Sequence, residues 1–199
     1  MEKFLIREGR LSDCADIARL INQSAQGAGD YLFGQEKLKP GGAEKIMSDL
    51  LSREVHYSFA NTIVMDLANK VIGIALSFPS SGLMINENVK QYYSEQQFQY
   101  IQYFVDNKLT DSWHLDAICV NSDCRGMGIG QRLLDSVKQQ AAYYNFPTLE
   151  VFVFATNVRA IKFYKRNQFV ISREIDVANH EFLTDKGPLV LMRFDFERN

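Results

Sequence analysis

Gly126, Gly128 and Gly130 stand at alternate positions between a strand-like segment, residues 113–120, and a helix-like one, residues 129–145. Nothing else in this chain restricts its fold as much. Alternate glycines leave backbone N–H groups uncovered and permit dihedral angles that side chains forbid. The helix behind them directs the positive end of its dipole at the same spot, which makes a site for an anion and best suits a phosphate. Arg125 adds a fixed charge. A strand, a glycine loop and a helix in that order belong to an α/β chain. The Walker loop is disfavoured, because Gln131 and Arg132 follow Gly130 where Lys and Ser or Thr are required. The dinucleotide fingerprint is disfavoured because the spacing is G-x-G-x-G, late in the chain. A glycine-rich turn without a ligand is the competing reading of the loop alone.

Periodicity orders the rest. A short strand is expected at residues 4–6. A helix follows, with Ser12 and Asp13 as candidate caps and Ile17, Leu20 and Ile21 on one face, fading near Gly27 and Gly29. After Pro40-Gly41-Gly42, residues 43–53 read as a second helix. Residues 57–67 and 71–78 read as strands joined in a hairpin through Ala68-Asn69-Lys70. Residues 87–108 read as a polar helix whose aromatic stripe, from Tyr92 to Phe104, serves packing. Residues 149–154 are almost continuously apolar, as in a strand covered on both faces. A short helix at 160–166 and strands at 169–177 and 189–196 complete the chain. Neither a repeat nor a linker divides it, so residues 1–199 are expected to form a single α/β domain around a mixed sheet.

Charge narrows the function classes. With 22 Lys and Arg against 24 Asp and Glu, the formal charge is −2, unlike a protein that coats nucleic acid. Hydrophobic residues make up 46% of the chain, which excludes wholesale disorder. Cys14, Cys119 and Cys124 fit neither a disulfide framework nor a zinc site, and no metal is expected. Charges within the first ten residues and the shortness of the apolar runs predict a soluble, cytoplasmic protein without a membrane span.

The pattern Arg125-x-x-Gly128-x-Gly130 resembles the acetyl-CoA signature of the GNAT superfamily of N-acetyltransferases. Downstream, Asn157-Val158-Arg159-Ala160-Ile161-Lys162-Phe163-Tyr164 resembles the family's second signature, and Phe169 stands where the family has the Phe of a Gly-Phe pair. Gln168 takes the usual place of that Gly, a departure that bears on the turn into the next strand and not on the chemistry. The motifs cover roughly residues 112–170, and residues 86–109 read as a helical insertion.

The resemblance implies the GNAT fold: a mixed, mostly antiparallel sheet flanked by helices and splayed where acetyl-CoA binds. It implies an N-acetyltransferase in which an amine attacks the thioester directly, with a non-catalytic CoA or acyl-CoA sensor as the alternative. Carried over, Ile118, Cys119 and Val120 line the pantetheine arm, with the main chain of Ile118 and Val120 as its partners. Arg125, Gly126, Met127, Gly128, Ile129 and Gly130 hold the pyrophosphate. Asn157 reaches the pantetheine, and Tyr164 lies near the sulfur as proton donor to the leaving thiolate. A backbone N–H near Ile118 is the implied oxyanion donor. For the base, His114 and Asp116 share a strand face at two-residue spacing. Some relatives carry a Glu at about the position of His114. Asp116 could orient His114, act alone or bind the substrate cation, and a water relay to another carboxylate remains open. Covalent catalysis by Cys119 or Cys124 is disfavoured, since a strand Cys is by default a small buried hydrophobe.

The acceptor side is expected around residues 27–33, 87–108 and 178–187. Tyr31, Phe33, Tyr92 and Tyr93 are candidate walls, and His180 and Glu181 candidates for the mouth. Residues 125–173 hold eight bases and two acids, a local +6, while the rest of the chain holds 14 bases and 22 acids. The basic part coincides with the site expected for an anionic cofactor, and the acidic remainder leans toward a cationic amine acceptor. A homodimer is left open.

Overall fold

The computed structural model describes residues 4–24, 32, 42–85, 90, 93–177 and 187–197. Seven strands form one sheet: β1 (Leu5–Glu8), β2 (Thr62–Leu67), β3 (Lys70–Pro79), β4 (Ser112–Val120), β5 (Thr148–Phe154), β6 (Val170–Ile175) and β7 (Leu189–Asp195). Their order across the sheet is β1-β2-β3-β4-β5-β7-β6. Every neighbouring pair is antiparallel except β4 with β5. Among the elements described in full, five α-helices flank it: α1 (Cys14–Ser24), α2 (Gly42–Arg53), α3 (Glu95–Asn107), α4 (Ile129–Tyr143) and α5 (Val158–Arg166).

The two faces of the sheet carry separate cores. Leu133, Leu134 and Val137 of α4 and Tyr164 of α5 pack with Trp113, Leu115, Leu149 and Val151 on one face. Ile17 and Leu20 of α1 and Met47 and Leu51 of α2 pack with Ile74, Phe78, Ala117 and Cys119 on the other. Helix α3 joins that second face through Tyr103 and Phe104, against Phe152, Phe154 and Leu191. β5 is thus covered on both sides, as its apolar run predicts.

The hairpin turns through Ala68 (φ 52°) and Asn69 (φ 65°), two left-handed residues that match the twist of the flanking strands. β2 starts at Thr62 and not near Tyr57, because residues 59–61 form a 3-10 turn with Ser58 accepting the Ala60 N–H. Helix α3 is shorter than the periodicity suggests. Its start is marked by Ser94 and Gln97, whose side chains each accept the other's backbone N–H, the reciprocal capping box. Gln168 has φ 69°: it takes up the left-handed position where glycine would be unstrained, and Phe169 after it is buried.

Gly73 on β3 lets α4 approach the sheet closely. A Cβ there would stand 3.2 Å from both Ile129 Cγ2 and Leu133 Cδ1. Gly73→Val therefore pushes the N-terminus of α4 outward, with a stability loss of about 1–3 kcal/mol, as in other overpacked cores. Denaturant unfolding measures it; an unchanged midpoint would show that the helix rides freely on the sheet.

The three cysteines are free, with Cys14 and Cys119 buried. No described helix is long and apolar enough to cross a membrane.

Candidate active site

β4 carries a bulge at Asp116. Leu115 pairs with Ser77 and Ala117 with Leu76, so Asp116 has no register partner on β3. The extra residue resets the alternation. Trp113 and Leu115 before it, and Ile118 and Val120 after it, all turn to the α4 side, while Ala117 and Cys119 turn to the α1 side.

Just beyond the bulge, β4 and β5 part. Their pairing runs only from Ser112↔Thr148 to Leu115↔Val151, although β5 continues to Phe154 along β7. The Asn121 N–H still donates to Ile72 O on the other edge, at 2.8 Å. Backbone groups alternate along a strand, so the N–H and C=O of Val120 and Ile118 face the edge that β5 has left. Arg125 Nε reaches the Val120 carbonyl there at 3.2 Å.

The loop that follows is open. Gly126 (φ 83°) and Gly128 (φ 76°) are left-handed, and Gly128 is the N-cap of α4. A Cβ at either would touch nothing, so glycine is required by backbone angle and not by crowding. Gly130 differs: it lies inside α4 and needs no unusual angle. The first backbone bond of α4 is Arg132 N–H to Gly128 O. Among the described residues, no protein acceptor takes the N–H groups from Gly126 to Gln131. Donors at a helix N-terminus without partners, with Arg125 beside them, fit a pyrophosphate.

One cavity of about 1500 Å³ joins these parts. It runs from the glycine loop through the gap between β4 and β5, where Ile118, Cys119, Val120, Val153 and Tyr164 line it, to Tyr57, Tyr93 and Asp116 beyond. Arg159 and Arg166 of α5 also border it. Of the loop residues, Ile129 buries its side chain in the α4 core and offers only main chain, and exposed Met127 is not among the lining residues described. Cys119 is buried, and desolvation raises its thiol pKa, which opposes a nucleophilic thiolate.

Tyr164 is 4% exposed. Its ring packs on Phe163 and Phe169, with centroids 5.3 and 5.2 Å away. Burial raises its phenol well above the ordinary range, which keeps the proton on it. Asn157 Oδ1 caps α5 by accepting the Ala160 N–H at 3.1 Å, so this side chain shapes the site as well as bordering it. Asn157→Ala lowers stability by about 1 kcal/mol through loss of the cap, readable as a drop in melting temperature. Stability equal to wild type would mean that the cap is dispensable.

His114 and Asp116 come together, but they are not equivalent. His114 is 3% exposed and sits behind the cavity wall, between Phe78 and Phe152, with ring centroids at 5.5 and 5.8 Å. Asp116 lines the cavity, and its Oδ1 is 3.9 Å from His114 Nε2. Asp116 is exposed on the cavity wall, with a quarter of its side-chain surface open, and protein packed around the carboxylate desolvates it in part. That desolvation raises its pKa, with His114 opposing. Desolvation also pushes Tyr93 up to about 12, aided by Asp116 and Glu54. Tyr57 is raised by burial and by the same Asp116.

Tyr31, Phe33, Tyr92, His180 and Glu181 lie outside the described residues, and Tyr93 does border the cavity. Tyr57 and Glu150 emerge only in three dimensions. Glu150 is fully buried and lies 3.2 Å from His114 Nδ1. A single acid inside an apolar strand run was its one signal in the sequence, since a buried charge needs a partner.

Comparison with known proteins agrees with this architecture. The model of the acetyltransferase (GNAT) family matches residues 45–169. An N-acetyltransferase from Staphylococcus aureus Mu50 superposes with a TM-score of 0.70 at 20% identity, over 96% of this chain and 100% of that one. The ribosomal-protein-S18-alanine N-acetyltransferase from Escherichia coli gives 0.59 at 15%, over 99% and 96%. The structure of yncA from Salmonella typhimurium with its cofactor acetyl-CoA gives 0.61 at 13%, over 99% and 96%. At these identities the likeness is one of fold.

Proposed function

The chain belongs to the GNAT acetyltransferase family, and on that premise we propose that it moves the acetyl group of acetyl-CoA onto a primary amine by direct attack. The observation that carries this reading is the continuity of the cavity: donors without partners, a strand gap and an acidic, tyrosine-lined compartment share one space. Acetyl-CoA, when bound, supplies a thioester carbonyl as the electrophile.

The chain's own residues then divide the work. The N–H groups from Gly126 to Gln131, with Arg125, hold the pyrophosphate. The main chain of Ile118 and Val120 takes the place of β5 as partner for an extended arm. The Ile118 N–H is a donor for negative charge developing on a carbonyl oxygen. Asp116 faces the cavity and accepts the proton of the incoming ammonium; a carboxylate with a raised pKa is a better base than an exposed one. Tyr164, held neutral by burial, gives its proton to the departing thiolate and regains one from solvent. His114 touches Asp116 and not the amine.

The acceptor is a cationic amine. Asp116 and Glu54 are the charged side chains that border the compartment beyond the gap among the described residues, with Tyr57 and Tyr93 beside them. Release of free thiol from acetyl-CoA across an amine panel tests this. Turnover with cationic amines supports it, and a preference for anionic acceptors overturns the acceptor class. Thermal stabilisation by CoA without turnover on any amine would instead favour a sensor.

A further inference from the structure

We propose that Glu150, which lies outside the cavity, is a positioning residue that fixes the proton of His114 and thereby the base strength of Asp116. This rests on the acetyltransferase reading above. Glu150 is wholly buried, and each of its oxygens has a partner. Oε2 accepts the Leu109 N–H at 2.6 Å, and Oε1 is 3.2 Å from His114 Nδ1. A carboxylate only accepts, so this second bond exists only when Nδ1 carries the hydrogen. A neutral His114 is then obliged to present the lone pair of Nε2 to Asp116, 3.9 Å away.

The consequence is a carboxylate–imidazole–carboxylate array in which Glu150 and His114 are buried and Asp116 opens to the cavity. When Asp116 takes a proton from the ammonium, the N–H bond of the amine breaks and a proton sits on a carboxyl oxygen. The Nε2 lone pair, 3.9 Å from Oδ1, faces that proton and favours the protonated carboxyl over the carboxylate. The proton leaves to solvent from Asp116 after the amide has formed. Other groups around the chain are accounted for. Phe78 of β3 and Phe152 of β5 flank the ring. Tyr57 and Tyr93 line the cavity together with Asp116. Arg193 of β7, opposite Glu150 in register, is engaged by Asp195 at 3.3 Å. The Leu109 bond adds a mechanical link. Leu109 follows the end of α3, whose Tyr100, Ile101 and Phe104 border the cavity, so one carboxylate anchors both the histidine and the helix on the acceptor side.

Glu150→Gln makes the test sharp. Leu109 N–H is a fixed donor, so the amide oxygen must face it, and the amide NH2 then points at His114 Nδ1. That reverses the tautomer and places a hydrogen on Nε2, toward Asp116. Ring 15N shifts of His114, recorded where the ring is neutral, should report Nδ1–H in the wild type and Nε2–H in E150Q. The chain has only 3 histidines, so replacement of each assigns the signals. kcat should fall about 10-fold or more, as when a supporting hydrogen bond is removed from a catalytic histidine, with KM for acetyl-CoA unchanged. A wild-type Nε2–H tautomer, or unaltered kcat in a folded E150Q, overturns the proposal. Should E150Q fail to fold, the wild-type tautomer decides alone. The tautomer is read without turnover, so an absence of activity on every amine would strike the acetyltransferase reading and not this geometry.

Discussion

Asp116→Asn lowers kcat/KM for acetyl transfer by about 10²–10³-fold, the range for loss of a positioned base, and leaves acetyl-CoA affinity as it was. The side chain lies beyond the β4–β5 gap, away from the glycine loop, so its removal leaves the donors at the head of α4 intact. It also stands on the bulge of β4 without a register partner on β3, so the substitution keeps the sheet pairing. The pH profile supplies a second readout. Desolvation raises the Asp116 pKa; the base form therefore dominates only above that raised value. Wild-type kcat/KM must climb with pH through an acid limb displaced upward from the ordinary carboxylate range, and D116N should lack that limb. Steady-state kinetics with one amine at saturating acetyl-CoA measures both. A D116N enzyme that keeps its rate and its acid limb would move the base elsewhere.

Tyr164→Phe slows kcat by about 10²-fold, the lower end for loss of a general acid, while CoA still stabilises the protein to the same extent. The ring remains to pack on Phe163 and Phe169, and only the hydroxyl is removed. Because burial holds this phenol neutral far into the alkaline range, wild-type activity should show no alkaline loss from Tyr164 titration. Thermal shift with CoA and single-turnover thiol release separate the two effects. Equal losses of binding and rate would argue that the hydroxyl holds the cofactor and gives no proton.

How far the residues alone reach is clear from particular elements. The strand and helix pattern from residue 112 to 166 matches the observed boundaries closely, because each segment has one strong period and an unambiguous stop: the glycines before α4, Pro147 before β5, Asn157 before α5. The reading of one helix over 87–108 is interrupted at Tyr93 and Ser94, because an aromatic stripe marks a buried face without marking where a helix begins; the Ser94–Gln97 capping box does that, and residues 87–89, 91 and 92 lie outside the described residues. The strand reading from Tyr57 starts too early because Tyr57 borders the cavity and residues 59–61 form a 3-10 turn. His114 and Asp116 were legible as a pair, but their division of labour was not. Simple alternation treats them as equals, and a bulge cannot be seen in a period of two.

The chemistry of the loop was therefore present in the linear order of residues. Three glycines, an arginine and a helix start are local features, and local backbone preferences act within a few residues, so an anion site at Gly126–Gln131 needs no distant partner to be inferred. The catalytic compartment is of another kind. Asp116 comes to the cavity through a bulge in β4, His114 withdraws behind it, and Glu150 reaches the histidine from a strand 36 residues further along the chain. Those relations arise because β4 and β5 pair for four residues and then part. Where a gap opens between two strands is set by what packs on both sides of the sheet, and no single segment carries that information.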